Sequence, residues 1–150
     1  MIKRIVCFFL ILFSVTACDI EPYQDDNDGD NWKVLNFTVK EKDWKLRGHS
    51  NALNSYYKFE FNDVRELTDF IANEGVVTGY LYQDNGSGEV QTPLPFTIPI
   101  GEVVGNEEVL WTQTTTFDYQ AGSVVFYVNY SDFITELRPG TMDFRVVLHW

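Results

Sequence analysis

Ser123-Val124-Val125-Phe126-Tyr127-Val128-Asn129-Tyr130 and Met142-Asp143-Phe144-Arg145-Val146-Val147-Leu148-His149 decide the fold. In the first stretch Val124, Phe126, Val128 and Tyr130 recur at every second position. In the second, Met142, Phe144, Val146 and Leu148 do so, while Asp143, Arg145 and His149 take the alternate places. Successive side chains of a strand point to opposite faces, so this period marks strands with one face buried. Full burial of each large apolar side chain contributes about 1.5–3 kcal/mol. Met142–His149 is therefore expected to be an integral strand and not a fraying tail. Trp150 continues the inward parity and is expected to cover the end of the core.

The same reading extends outward. Gln120-Ala121-Gly122 turns a threonine-rich strand, Val109–Phe117, into the first stretch, and Arg138-Pro139-Gly140-Thr141 turns into the second. Upstream, Lys33–Lys40 alternates, with Leu35, Phe37 and Val39 on one face. Trp44 and Leu46 follow in a charged turn region, and Gly48–Ser55 is polar and loop-like. Tyr57, Phe59 and Phe61 mark one face of another strand, with Lys58 and Glu60 on the other. Val76–Tyr82 is a further strand, closed by the turn Asp84-Asn85-Gly86-Ser87-Gly88. Leu94–Ile98 sits among Pro93, Pro95 and Pro99, which makes it an edge strand or an irregular segment. One helix interrupts. Asp63 with Glu66 has capping-box spacing, Val64, Leu67 and Ile71 form a stripe that Phe70 broadens, and Gly75 stops it, so a helix is expected over Val64–Asn73.

Seven strands, one short helix and hairpin-like turns between the last three strands imply a mainly β chain with antiparallel pairing. An open sheet would leave an aromatic-rich face wet, so the expected fold is a seven-stranded β-sandwich, immunoglobulin-like in architecture. The Cys…Trp…Cys pattern of true immunoglobulin domains is absent.

The N-terminus reads differently. Met1–Arg4 is a short basic start, Ile5–Phe13 is an unbroken apolar run, and Ser14–Ala17 turns small. The apolar run is too short for a bilayer span, which takes about 20 residues, and fits a secretory signal. Val15-Thr16-Ala17-Cys18 resembles the lipobox of bacterial lipoproteins, in which the Cys is acylated and becomes the first residue. That resemblance implies a signal peptide over residues 1–17, a lipidated Cys18, and a membrane partner reached through the lipid. Each buried CH₂ contributes about 0.8 kcal/mol, so two or more acyl chains hold a protein almost permanently. Cys7 would leave with the signal and Cys18 would carry lipid, so the mature domain would have no disulfide.

Residues 18–31 read as an acidic tether. Asp19, Glu21, Asp25, Asp26, Asp28 and Asp30 lie there without a base. Asp19 directly after the Cys resembles an inner-membrane retention signal of enteric-type bacteria. The acidic stretch resembles a surface-export signal of Bacteroidetes-type bacteria and suits the sequence better, which points to a surface-exposed outer-membrane lipoprotein. An EF-hand reading with Gly29 at the turn position puts Gln24 and Leu35 at the first and last ligands, so calcium is not expected.

The remaining domain, residues 32–150, keeps 9 bases and 16 of the 22 acids, a net of −7. Phosphate contact needs clustered Lys and Arg, so nucleic acid is not an expected partner. Of the 12 Phe, 8 Tyr and 4 Trp, only Phe8, Phe9, Phe13 and Tyr23 precede this domain. Such aromatic density favours β structure.

Thr68-Asp69-Phe70-Ile71, Gly75-Val76-Val77-Thr78-Gly79-Tyr80-Leu81-Tyr82, Leu94-Pro95-Phe96-Thr97 and Gly122-Ser123-Val124-Val125-Phe126-Tyr127, in that order, resemble small uncharacterised cell-envelope lipoproteins common in Bacteroidetes-type bacteria. The resemblance implies a β-sandwich on a lipid anchor and carries no functional residue.

Catalytic chemistry has few candidates. His49 beside Ser50 lies in a polar loop, and His149 is on the exposed face of the last strand. There is no Gly-x-Ser-x-Gly elbow. Two histidines do not make a usual zinc site, no Gly-rich phosphate loop precedes the helix, and Glu107 and Glu108, adjacent on a strand, point to opposite faces. The expectation is a non-enzymatic binding or interaction module without metal or cofactor. The alternatives are a structural or accessory subunit of an envelope complex and, behind it, a hydrolase. Exposed aromatic rings are the usual platforms for glycans and peptides. The candidates are Trp44 in its charged turn, Tyr56 opposite the apolar face of its strand, Tyr127 opposite the Val124–Tyr130 face, and Trp111 on the face of Phe117. Two packed sheets and a helix can consume most such rings as core or edge cover, so Trp44 and Tyr56 are the residues chosen for a surface ligand site, with a glycan or an envelope protein as partner.

Overall fold

The computed structural model describes residues 31–150. The expected signal peptide, Cys18 and all of the expected tether except Asn31 lie outside the described residues. The chain forms nine strands: β1 (Trp32–Val39), β2 (Lys45–Arg47), β3 (Tyr56–Val64), β4 (Val76–Asp84), β5 (Glu89–Pro93), β6 (Phe96–Val104), β7 (Glu107–Gln120), β8 (Gly122–Tyr130) and β9 (Met142–His149). They make two antiparallel sheets, β1-β9-β4-β5 and β2-β3-β8-β7-β6.

The two stretches that decided the fold are β8 and β9, each an interior strand of its own sheet. Val124, Phe126, Val128, Phe144, Val146 and Leu148 are all completely buried. The ring of Phe126 stacks on that of Phe144 at 3.9 Å and 14°, which fastens sheet to sheet. Phe37 and Phe61 continue the aromatic layer with centroids 4.7 Å apart. At Gly79 of β4 the sheets approach so closely that a Cβ would lie 2.6 Å from the Phe117 ring, and that space is open only because glycine has no side chain.

Several expectations need correction. There are nine strands, not seven. The two extra ones, β2 and β5, are short and expose most of their residues, so neither shows an alternating apolar signature. The turn Arg138–Thr141 does not close a hairpin. It leads from β8 in one sheet to β9 in the other, whereas the final two strands of an immunoglobulin domain are neighbours in one sheet. The chain is thus two antiparallel sheets with a strand order of their own.

The expected helix Val64–Asn73 shrinks to a six-residue helical turn, α1 (Asp69–Glu74). Asp63 is no cap. It has a positive φ of 61°, where β3 departs from regular register, and Val64 still pairs with Gly122. The cap is Thr68, whose hydroxyl accepts a hydrogen bond from the Ile71 N–H at 3.3 Å. Val64, Leu67 and Ile71 are buried as the stripe required, but they reach the core from a strand end, a turn and a helical turn in succession. Phe70 stays in solvent, and Trp150 is 38% exposed, so neither covers the core as expected.

The sandwich has two distinct ends. Trp32 pairs with His149, and the Trp150 N–H donates to the Asn31 carbonyl at 2.9 Å, so both ends of the domain leave from one pole. Val39 pairs with Met142 at the other pole, where the β8–β9 connection lies.

Candidate functional site

Tyr130, the last residue of β8, pairs with Gln113 of β7. The first part of β7, from Glu107 to Thr112, has only β6 beside it, from Val104 back to Pro99. This end of the hairpin therefore extends beyond its sheet. Register fixes its faces. Thr115 and Phe117 pair with the core residues Val128 and Phe126, so Trp111, Gln113, Ile98 and Ile100 point to the same inner side. Leu110 and Val103 point to the outer side and are largely exposed. The hairpin is thus apolar on both faces.

The connection from Ser131 to Leu137 stands opposite the inner face and leaves a groove of about 370 Å³. Its floor is Ile100, Val109, Trp111 and Tyr130, its far wall is Ile134 and Leu137, and its acids are Glu102, Asp132 and Glu136. Ile134 and Leu137 are 48% and 72% exposed, so the apolar wall is open to solvent. Large well-formed apolar clefts with a few converging polar groups are where proteins most often bind ligands.

The far wall is held firmly. Asn51, at a positive φ of 55°, exchanges hydrogen bonds with Thr135: its N–H donates to the hydroxyl at 3.1 Å, and its Oδ1 accepts from the Thr135 N–H at 2.9 Å. Its Nδ2 donates to Glu136 Oε1 at 2.8 Å. The Tyr57 hydroxyl donates to the Thr135 carbonyl, and that of Ser55 to the Phe133 carbonyl. At the base, Thr112 donates its N–H to the Ser131 hydroxyl and accepts from the Ser131 N–H. Asp132 accepts from the Ile134 N–H at 3.0 Å, which fixes its carboxylate at the groove's edge. Neither ion pair among the described residues involves Glu102, Asp132 or Glu136. Burial pushes the Tyr130 phenol up to about 12, with Tyr57 and Asp132 adding to the shift.

The residues expected to bind a ligand lie elsewhere. Trp44 is 2% exposed, with its indole N–H donating to the Gly140 carbonyl at 3.0 Å and its ring edge-on to Phe144. It closes the core at this pole, so it offers no face to a ligand. Its charged flanks, Lys42, Asp43 and Lys45, concealed a side chain that turns inward. Tyr56 is half-buried on the outer face of the larger sheet, 6.0 Å from the ring of Tyr127. Arg47 pairs with Tyr56, and Lys58 with Tyr127, so cations flank this aromatic pair on the same face. Burial, and then the Asp118 carboxylate beside it, raise the Tyr127 phenol above its ordinary value. His49 and Ser50 are both exposed in their loop, and Glu107 and Glu108 are exposed at the hairpin.

Ile134 and Leu137 escape a pattern reading because the stretch Asp132–Leu137, closed by Arg138-Pro139, is too short for any period to be read from it. The signal that marks the site is Val103, Val109, Leu110 and Trp111 around one turn, apolar on both parities where β8 and β9 alternate cleanly.

No family model, curated protein or solved structure matches the chain. Among the described residues no helix is long and apolar enough to cross a membrane, and no three His, Cys, Asp or Glu side chains gather to hold a metal ion.

Proposed function

We propose that this protein is a lipid-anchored binding module of the bacterial cell envelope, of the small Bacteroidetes-type lipoprotein kind, displayed on the outer membrane. Its immunoglobulin-like two-sheet body serves as a rigid stand, and its work is recognition and not turnover. The observation that carries the reading is the groove between the β6–β7 hairpin and residues 131–137: an open apolar cleft with walls pre-set by hydrogen bonds. Pre-set walls favour binding because little ordering entropy is lost on contact. The anchor rests on the lipobox-like Val15–Cys18 and the acidic stretch behind it.

The test has two arms. Replacing Cys18 with Ser should move the protein from the membrane to the soluble fraction. The released protein should then bind a component of envelope extract, and Trp111→Ser should weaken that binding without unfolding the domain. Membrane partitioning that survives the first change, or turnover on a hydrolase substrate panel, would overturn the reading.

A second reading is supported by the outer-face pair Tyr56 and Tyr127 flanked by Arg47 and Lys58. The two rings, tilted 54° to each other with donors nearby, offer a glycan an angled aromatic contact. Glycan-array binding lost in Tyr56→Ala and retained in Trp111→Ser would favour it.

A further inference from the structure

The acids around the groove select what enters it. Glu102, Asp132 and Glu136 line it, Glu107 shares the inner parity of the hairpin beyond it, and no Lys, Arg or His is among its lining residues. The nearby basic group, Lys40, Lys42 and Arg138, lines a separate hollow, and Arg138 donates to the Lys42 carbonyl. A second copy of the chain, with its domain net charge of −7, would bring like charges together at this contact. An anionic bilayer would be repelled in the same way. The apolar floor, meanwhile, requires more than a free cation, because Trp111, Ile134 and Leu137 gain only by losing water. The cleft is bounded on one side by β6, an edge strand with backbone groups open to an added segment, although Pro99 removes one donor.

We infer that the groove docks an extended polypeptide segment of a partner protein, one presenting a Lys or Arg beside a bulky apolar side chain. The inference rests on the binding-module reading and gives that module its ligand chemistry. The apolar side chain would cover Trp111 and Leu137. The cation would meet Asp132 and Glu136, whose carboxylates are held in place by Ile134 N–H and Asn51 Nδ2.

Three synthetic peptides of equal length serve as probes: leucine alternating with lysine, leucine with glutamate, and serine with lysine. They are titrated into the isotope-labelled Cys18→Ser chain and followed by amide and indole NMR shifts. The leucine–lysine peptide should shift Trp111 and residues 131–137 and bind about tenfold or more tighter than either other peptide. Glu102→Gln, Asp132→Asn and Glu136→Gln together should remove that advantage. The same number of neutralisations at Asp84, Glu89 and Glu74, on other surfaces, should leave it intact, which separates local charge from net charge. Preference for the leucine–glutamate peptide at the same resonances would overturn the ligand chemistry and leave the binding module standing. Three outcomes would overturn the docking inference itself: no shift at the groove with any peptide, self-association abolished by Leu137→Ser, or stronger partitioning to phosphatidylglycerol vesicles than to the leucine–lysine peptide. The envelope-extract binding above would then decide the broader reading separately.

Discussion

Replacing Phe144 with Ala tests the core where the two sheets meet. Phe144 is wholly buried, lies flat on Phe126 at 3.9 Å, and receives Trp44 edge-on at 6.4 Å. Phe-to-Ala changes in cores cost about 3–5 kcal/mol, and the cost rises when neighbours cannot collapse into the space. Here they cannot. Trp44 is tied to Gly140 by its indole N–H, and Phe126 is on an interior strand paired on both sides. The expected loss is therefore about 4–5 kcal/mol, a large part of the roughly 5–15 kcal/mol that a domain possesses. Urea unfolding followed by circular dichroism should show a lower midpoint at unchanged slope. In a domain of this size the melting temperature should fall on the order of 15 °C. Phe144→Leu keeps most of the volume and should cost less than about 1.5 kcal/mol. It also remains measurable if the Ala variant fails to fold. A double cycle with Phe126→Ala should return a coupling of about 0.5–1.5 kcal/mol for the ring pair. A loss under about 2 kcal/mol in Phe144→Ala, or zero coupling, would refute the picture of two sheets fastened by this stack.

Gly79→Ala should destabilise by about 1–3 kcal/mol by pressing a methyl into Phe117, and Phe117→Leu in the same chain should recover part of it; additive losses in urea unfolding would contradict the close approach. The Tyr130 phenol ionises at about 12 in the folded protein against 10.0 as the ordinary value. The folded state therefore holds the proton longer than the unfolded state does. Stability is unaffected by this group below the unfolded value and falls as pH rises from about 10 towards about 12. Tyr130→Phe should flatten that fall in urea melts, and an unchanged slope would mean the phenol is not held back by burial. Deleting residues 19–30 should leave the melting temperature unaltered with or without calcium, and a calcium-dependent shift of several degrees would show a binding role for the acidic run.

The strands legible in the sequence are those with one wet face. Val124–Tyr130 and Met142–Leu148 alternate because β8 and β9 are each buried on one side only, and a period of two survives in the text. Leu46 of β2 is a single inward residue in three, too short to show any period. Around Asp63 the pattern misleads for a physical reason. Val64, Leu67 and Ile71 must all reach the core, and a strand end followed by a turn spaces them as a helix would. Trp44 shows the limit of reading exposure from neighbours: charge on both sides in sequence says nothing about the direction of the side chain between them. The groove was illegible because its far wall is a loop, and loop residues take their places from hydrogen bonds such as those between Asn51 and Thr135, which join residues 84 apart in sequence.

The two poles of the sandwich give the molecule a direction. The chain enters at Asn31, and β9, eight residues or about 27 Å long, separates that pole from the β8–β9 connection. The 13 peptide links from Cys18 to Asn31 can reach at most about 45 Å when drawn out. With Cys18 moored in lipid, the domain would be held foot-down, and the groove would occupy its crown, up to about 70 Å above the bilayer. Under the proposed surface display, a site so placed would meet molecules arriving from outside the cell before any other part of the domain did. Length changes in the stalk would alter how far it reaches while leaving its shape intact.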